Sequence, residues 1–354
     1  MSRYQSLKLS ELTPYTPGEQ PRDMQYVKLN TNESPFPPSA KAIAAAAEAA
    51  KKLQLYSDPT CRALRNKLAE VYGVEPDEVI VTNGSDEVLD FAFQAFCDER
   101  TAAVFADITY GFYPVFAQRN GVPFETVALR DDFSIDITDY FGVGKTIFIA
   151  NPNAPTGLAL SRAQIEQILV HNPDNVVVVD EAYVDFGAES CVPLVHQYDN
   201  LLVTQTFSKS RSLAGGRLGF GIGSKALIAD LQTIRYSTNP YNVNSMTLAA
   251  GLGVLEDEEY TRTNCQTIIE NRGWTVTELQ KRGFCMTDSK TNFIFAKHPT
   301  VDGGVLYAEL KKRGVLVRHF TAERIKDYNR ITVGSCEQMQ ALLAAVDEIL
   351  EEKS

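Results

Sequence analysis

The chain is poor in the residues that build metal centres. Its four histidines, His171, His196, His298 and His319, are widely separated, and so are its six cysteines, Cys61, Cys97, Cys191, Cys265, Cys285 and Cys336. No C-x-x-C pair occurs. Zinc and iron–sulfur ligation need several such residues at short spacing, so no metal site is expected. The scatter fits reduced thiols packed as small hydrophobes in a cytoplasmic protein. Long apolar runs are lacking as well. The most apolar helical stretch, Ala40 to Ala50, holds Lys41 and Glu48 and is too short to span a bilayer. Residues 1–6 lack the apolar core of a signal peptide. Positive charge is also short: 34 Lys and Arg against 45 Asp and Glu leave a net charge of −11. Binding to nucleic acid or to an anionic membrane through bulk charge is excluded. An anionic small molecule held by locally placed arginines is not.

What is present is a chain of 354 residues, 44% hydrophobic, enough for one large domain and a smaller one. Residues 1–38 carry many prolines and turn formers and read as an extended arm, although Tyr15, Tyr26, Leu29 and Phe36 call for burial. A helix is expected from Ser39, its N-cap, to about residue 53, and a second over about 61–72. β-Branched apolar runs follow at 79–82, 102–106, 126–129, 146–150, 176–179 and 201–204. Helical stretches at about 85–97, 113–120 and 161–170 separate several of them. Apolar runs without alternation are strands covered on both faces. Strand–helix alternation then predicts an α/β fold, with a mostly parallel central sheet and helices on both faces. From about residue 256 the pattern changes to a long helix (257–281), strands at 292–296, 315–318 and 330–333, and helices at 305–312 and 336–351. This predicts a large domain over 39–255. The arm, 1–38, returns to a small α+β domain over 256–354.

The chemistry-bearing residues stand where these strands end. Lys209 follows the strand at 201–204 and lies among Ser208, Ser210 and Arg211, with Gly215-Gly216-Arg217 just beyond. A lysine is a nucleophile only when held neutral or tied up as a Schiff base. Ser208 and Arg217 are anion-binding types that would seat a phosphate beside it. Lysine and phosphate seat together are the signature of a pyridoxal phosphate site. Lys209 taken alone reads better as a solvated surface residue; the other strand ends decide. The strand at 79–82 runs into Gly84-Ser85-Asp86 and a helix, whose free N–H groups and dipole favour a phosphate. The strand at 102–106 runs into Tyr110, placed to stack on a planar ring. After 146–150 comes the rigid turn Asn151-Pro152-Asn153-Ala154-Pro155-Thr156-Gly157. After 176–179 comes Asp180, costly at a buried strand end unless it meets a cation such as a pyridinium N–H, with Tyr183 three residues on.

Five strand ends, each with a residue type fitting a different atom of one cofactor, make the chain resemble the fold-type I pyridoxal-phosphate aminotransferases. The resemblance runs from about Leu12 to Leu350. Within that family it is similar to the histidinol-phosphate aminotransferases, through Leu12–Gly18, Lys28–Pro35, Asn239–Asn244 and Arg330–Gly334. It implies that Lys209 carries pyridoxal 5'-phosphate as a Schiff base and later moves the substrate proton. Asp180 would keep the ring nitrogen protonated, Tyr183 would bond the ring oxygen, and Tyr110 would stack on the ring. Gly84, Ser85, Asp86, Ser208 and Arg217 would seat the phosphate. Tyr56 would reach the phosphate of a second subunit, which implies a homodimer with shared sites. Arg330 would hold the donor carboxylate, with Arg318 nearby and Tyr15, Asn30 and Asn242 on the substrate side. The family turn usually has a second asparagine where this chain has Ala154. Either Asn153 takes over at the ring oxygen or Tyr183 does so with water.

The expected reaction is amino transfer between glutamate and imidazole-acetol phosphate, giving 2-oxoglutarate and histidinol phosphate, in histidine biosynthesis. Aromatic amino acids as substrates, or a decarboxylase acting on a threonine phosphate, are alternatives on the same scaffold. A non-catalytic cofactor-binding protein is disfavoured by the presence of both Lys209 and Asp180.

Overall fold

The apolar runs bounded by turn residues become a seven-stranded sheet in the order β2-β8-β7-β6-β5-β3-β4. The structure, a computed structural model, describes residues 2–6, 9–10 and 12–353. The strands are β2 (Val79–Thr82), β3 (Ala103–Ala106), β4 (Phe124–Val127), β5 (Thr146–Ala150), β6 (Val177–Asp180), β7 (Leu201–Thr206) and β8 (Gly219–Gly223). β4, β3, β5, β6 and β7 pair in parallel, whereas β8 is antiparallel to both β7 and β2. β2 therefore points the same way as the parallel set. The loops after β2, β3, β5, β6 and β7 all open at one edge of the sheet, where ligands of such folds bind.

Successive residues of a strand face opposite ways, and both faces are buried. Val79, Val81, Val177, Val179, Leu201 and Val203 join one core with Leu64, Leu68, Ile165 and Ile168. Ile80, Val178 and Leu202 join the other with Val88, Phe91, Phe93, Phe116 and Leu231. Helices α1 (Ala40–Ala50), α2 (Arg62–Tyr72), α3 (Ser85–Phe96), α4 (Tyr113–Asn120) and α5 (Arg162–Val170) form at the expected places. Ser39 and Ser161 cap α1 and α5 through their hydroxyls.

A separate core gathers Ile268, Leu279, Phe284, Ile294, Leu306, Ile331 and Leu342 around a four-stranded sheet, in the order β12-β13-β10-β9. Its strands are β9 (Cys285–Met286), β10 (Phe293–Lys297), β12 (Arg318–His319) and β13 (Asn329–Thr332). The arm returns here. β1 (Val27–Lys28) pairs in parallel with β11 (Val315–Leu316), and Leu29 is buried in this core.

Several elements differ from expectation. α1 ends at Ala50 rather than near 53, with turns from 51 to 54. β4 lies two residues earlier than expected and is largely exposed at the sheet edge. The expected strand at 315–318 is two pieces, β11 and β12, in different sheets. Two helices escaped the sequence pattern: α6 (Lys225–Thr238) and α7 (Ser245–Leu255). α7 is apolar on most sides and carries Gly251 and Gly253, which read as breakers. The structure gives Gly253 its reason, since a Cβ there would lie 2.8 Å from the Ala42 Cα of α1. α8 (Glu258–Lys281), α9 (Gly303–Lys312) and α10 (Cys336–Lys353) complete the chain.

Candidate active site

The loops at the open sheet edge enclose a cavity of about 410 Å³. Its walls include Ser85, Asp86, Tyr110, Ala154, Asp180, Tyr183, Ser208, Lys209 and Arg217. A second cavity of about 450 Å³ adjoins it through Thr31, Tyr110, Ala154, Tyr183 and Lys209. This one carries Tyr15, Asn30, Arg318 and Arg330.

Asp180 is the last residue of β6, flanked by Ala150 of β5 and Thr204 of β7. It is only 5% exposed. Tyr113 donates to Oδ2 at 3.1 Å, while Oδ1 is buried and has no partner. Burial pushes the carboxyl up to about 7, against the Tyr113 hydroxyl and the Ala182 N–H, which favour the charged form. A buried acid at the wall of a cavity with one empty acceptor position fits a cationic N–H donor.

Lys209 lies three residues past β7. Its Nζ donates to the Thr31 carbonyl at 3.1 Å and stands 5.9 Å from the centre of the Tyr183 ring. Burial, then repulsion from the Arg330 guanidinium, brings the amine down to about 8. About a tenth of the amine is then neutral at pH 7, far more than for an ordinary lysine, and the neutral form is the nucleophile.

At the mouth of β2, Gly84 takes φ +83° and starts α3, whose first turn holds Asp86 and Glu87. Arg217 reaches back across this point and its Nη2 pairs with Asp86 Oδ2 at 3.1 Å. That φ favours glycine, and a Cβ there would also push the Nη2, 2.7 Å away, aside. Asp86 also accepts from the Tyr110 hydroxyl at 2.7 Å. Ser208 is held from β7, its N–H donating to Thr206 Oγ1 at 3.1 Å. Helix N–H groups, Ser85, Ser208 and Arg217 would suit a phosphate.

In the adjoining cavity Arg330 donates to the Asn30 carbonyl at 3.1 Å, and its buried Nε has no partner. The guanidinium carbon lies 5.4 Å from the centre of the Phe293 ring and 5.9 Å from that of Phe320. Burial lowers its proton affinity. Arg318 is occupied by the carbonyls of Thr16 and Pro17, each at 3.1 Å. Asn30 donates to the Glu19 carbonyl at 2.8 Å, and its Oδ1 has no partner. Tyr15 stacks on Phe112 at 4.3 Å.

Four expected residues do not line the cavities: Gly84, which stands behind the Arg217 guanidinium, and Asn153, Asn242 and Tyr56. Asn153 is wholly engaged in its turn. Its amide donates to the Ile108 carbonyl and Thr156 Oγ1 at 2.9 and 3.0 Å, and its oxygen accepts from Thr109 at 2.7 Å. It has no donor left for a ring oxygen, so it does not stand in for the asparagine absent at Ala154. Asn242 is tied to Glu87 at 2.5 Å and to Arg235 at 3.3 Å. Tyr56 is 82% exposed and stacks on Tyr241 at 4.5 Å. Conversely, Thr31, Glu33, Thr206 and the Asp180 partner Tyr113 belong to the site and were not singled out. Tyr113 opens α4, and nothing local links it to a carboxylate 67 positions away.

The sequence profile of Aminotransferase class I and II matches residues 24–346, and the chain belongs to that family, which is pyridoxal-phosphate-dependent. It is 48% identical to the histidinol-phosphate aminotransferase of Marinomonas sp. over 350 residues, 98% of this chain and 99% of that one. It is 44% identical to the histidinol-phosphate aminotransferase of Brachyspira hyodysenteriae over 353 residues, 99% and 100% of the two chains. Among solved structures, the Sinorhizobium meliloti histidinol-phosphate aminotransferase in complex with pyridoxal-5'-phosphate superposes with a TM-score of 0.85. That match is at 22% identity and covers 93% of this chain and 92% of that one. At that identity the likeness concerns the fold, which is fold-type I. Among the described residues, no helix is long and apolar enough to cross a membrane.

Proposed function

We propose that this protein is a transaminase of histidine biosynthesis. It exchanges an amino group between glutamate and 2-oxoglutarate on one side and histidinol phosphate and imidazole-acetol phosphate on the other. The observation that carries this is one cavity walled by a buried amine of lowered proton affinity, a buried carboxylate oxygen without a partner, and an anion seat at a helix start. The 44–48% identity to histidinol-phosphate aminotransferases over the whole chain supports the substrate pair.

When bound, pyridoxal phosphate supplies an aldehyde for the substrate amine and a protonated ring that accepts the electrons released at the substrate Cα. The residues of this chain do the rest. Lys209 would hold the cofactor and move the substrate proton from Cα. Asp180 Oδ1 would accept from the ring N–H and Tyr183 would donate to the ring oxygen. Tyr110 would stack on the ring. Gly84, Ser85, Asp86, Ser208 and Arg217 would seat the phosphate. Arg330 receives the glutamate carboxylate on its free Nε edge. Tyr15, Asn30 and Arg318 border the space left for the rest of the substrate. Ala154 costs the site one neutral hydrogen bond, worth about 0.5–1.5 kcal/mol, which tunes it without abolishing function.

We further infer a cytoplasmic homodimer. Exposed Ile43, Leu53, Leu55 and Tyr56 lie close in sequence, and the Tyr56–Tyr241 stack stands out into solvent. Tyr56, outside its own cavity, would complete the phosphate seat of the second subunit. The large domain is assigned to 39–255, with the arm and 256–354 forming the small one.

The test is the visible spectrum of the holoprotein before and after separate additions of glutamate, histidinol phosphate and phenylalanine. Loss of the cofactor band with both glutamate and low histidinol phosphate is expected. Loss with phenylalanine but not with histidinol phosphate would make the protein an aromatic aminotransferase. Release of carbon dioxide from threonine phosphate would make it a decarboxylase. No band after adding pyridoxal phosphate would refute the role of Lys209.

A further inference from the structure

Asn32 has no assigned role, yet it stands between the arm, the small sheet and the cavity. It is 1% exposed and its backbone is left-handed, with φ +56°. All of its polar groups are used. The backbone N–H donates to Thr332 Oγ1 at 3.0 Å, and that hydroxyl donates to Asn32 Oδ1 at 3.1 Å. The carbonyl accepts from Asn292 Nδ2 at 3.0 Å. The amide Nδ2 donates to the Tyr183 hydroxyl oxygen at 2.9 Å.

That last bond has a direction that matters. A phenol has one hydrogen to give and lone pairs to receive. Asn32 fills a lone pair, and among the described residues the Tyr183 hydrogen finds no acceptor. Tyr183 lines both cavities, so its O–H is left for a ligand. Ala154, beside it in both walls, contributes only a methyl. The backbone bonds to Thr332 and Asn292 already anchor the arm, so the side-chain amide adds something besides anchoring.

We propose that Asn32 is a positioning residue: by donating to the Tyr183 oxygen it turns the phenol into a donor toward the cofactor ring oxygen, and through Thr332 it ties that donor to the C-terminal sheet. This rests on the cavity being a pyridoxal phosphate site. Hydrogen bonds in series polarise one another, so removing the amide weakens the donor. A ring oxygen with a weaker donor keeps more negative charge and holds a neighbouring positive charge more firmly. The pH midpoint of the cofactor's visible band then rises.

The experiment is a spectrophotometric pH titration of the holoprotein and its variants. Asn32→Gly keeps the left-handed backbone without strain and keeps both backbone bonds. Its midpoint should rise by about half to one pH unit, the effect of one neutral hydrogen bond. Asn32→Asp replaces the donor by a carboxylate that captures the phenol hydrogen, and its midpoint should rise at least as far, toward that of Tyr183→Phe. In the Tyr183→Phe background, Asn32→Gly should add nothing. Wild-type midpoints in both Asn32 variants would overturn the proposal, as would an Asn32→Gly shift that persists undiminished without the Tyr183 hydroxyl. A wild-type holoprotein with no visible band would overturn the cofactor assignment itself, a distinguishable failure.

Discussion

Replacing Asp180 by asparagine should make the apoprotein more stable and the enzyme nearly inactive. The carboxyl is buried at the end of a central strand, with Tyr113 on one oxygen and nothing on the other. Its pKa rises from 3.8 to about 7 on folding, chiefly through burial. The folded state therefore binds its proton more tightly than the unfolded state. The stability this group contributes is fully present below about pH 4 and is lost as pH rises to 7. A shift of that size corresponds to roughly 4 kcal/mol between the two limits. Asparagine has the same shape and no charge, but its buried amide leaves a donor unmet, at a cost of about 1–3 kcal/mol. A net gain of roughly 2 kcal/mol at pH 8 is expected for the variant. Glu181, also raised to about 7 by burial, titrates over the same window in both proteins, and its charge is a minor contributor to the Asp180 shift. The assay is the thermal midpoint of the two apoproteins from pH 4 to 9. The advantage of Asp180→Asn should grow between pH 4 and 7 and stay level above. Pyridoxal phosphate should then reverse the order, because the wild type gains more from binding, while turnover of the variant falls by about 10²–10³-fold. An apo variant that melts at or below the wild type at pH 8.5, or a difference that ignores pH, would refute the argument.

The apoprotein should capture pyridoxal phosphate at a rate that rises with pH and levels above about 8, because the Lys209 amine reacts only when neutral; stopped-flow absorbance reads this, and a flat profile counts against it. Arg330→Gln should raise the KM for glutamate by roughly 10- to 150-fold, the worth of a charged hydrogen bond, with a smaller effect on cofactor affinity. Gly84→Ala should weaken cofactor binding about tenfold, from the strain of a side chain at φ +83° and the push on Arg217; equilibrium dialysis would show it, and unchanged affinity would place the phosphate elsewhere.

The strands and most helices were legible because burial on both faces leaves uninterrupted β-branched runs, and because turn residues punctuate them. Chemistry was legible at the strand ends for a related reason. A charged residue directly after an apolar run, such as Asp180, is costly unless it serves a ligand, whereas Lys209 took its meaning from the residues at the other strand ends. α6 and α7 were not legible. Gly251 and Gly253 argue against a helix locally, and only the close approach of Leu218 to the first and of α1 to the second explains them. Asn153 looked like a ligand-facing amide until its three neighbours in space were known. Tyr113 gave no sign, and Asn32 stood in the Lys28–Pro35 stretch without a role of its own, since their partners lie 67 and 151 positions away.

By itself, then, the sequence determined the alternation of elements, the edge of the sheet where function gathers, and which residue types stand there. These depend on local pattern, which hydrophobic periodicity and turn chemistry record directly. The tertiary structure alone decided which polar atoms are left unpaired: Asp180 Oδ1, Arg330 Nε and the Tyr183 hydrogen. Whether a donor or acceptor is spent within the protein or left for a ligand depends on neighbours brought together from distant segments, and no local pattern carries that.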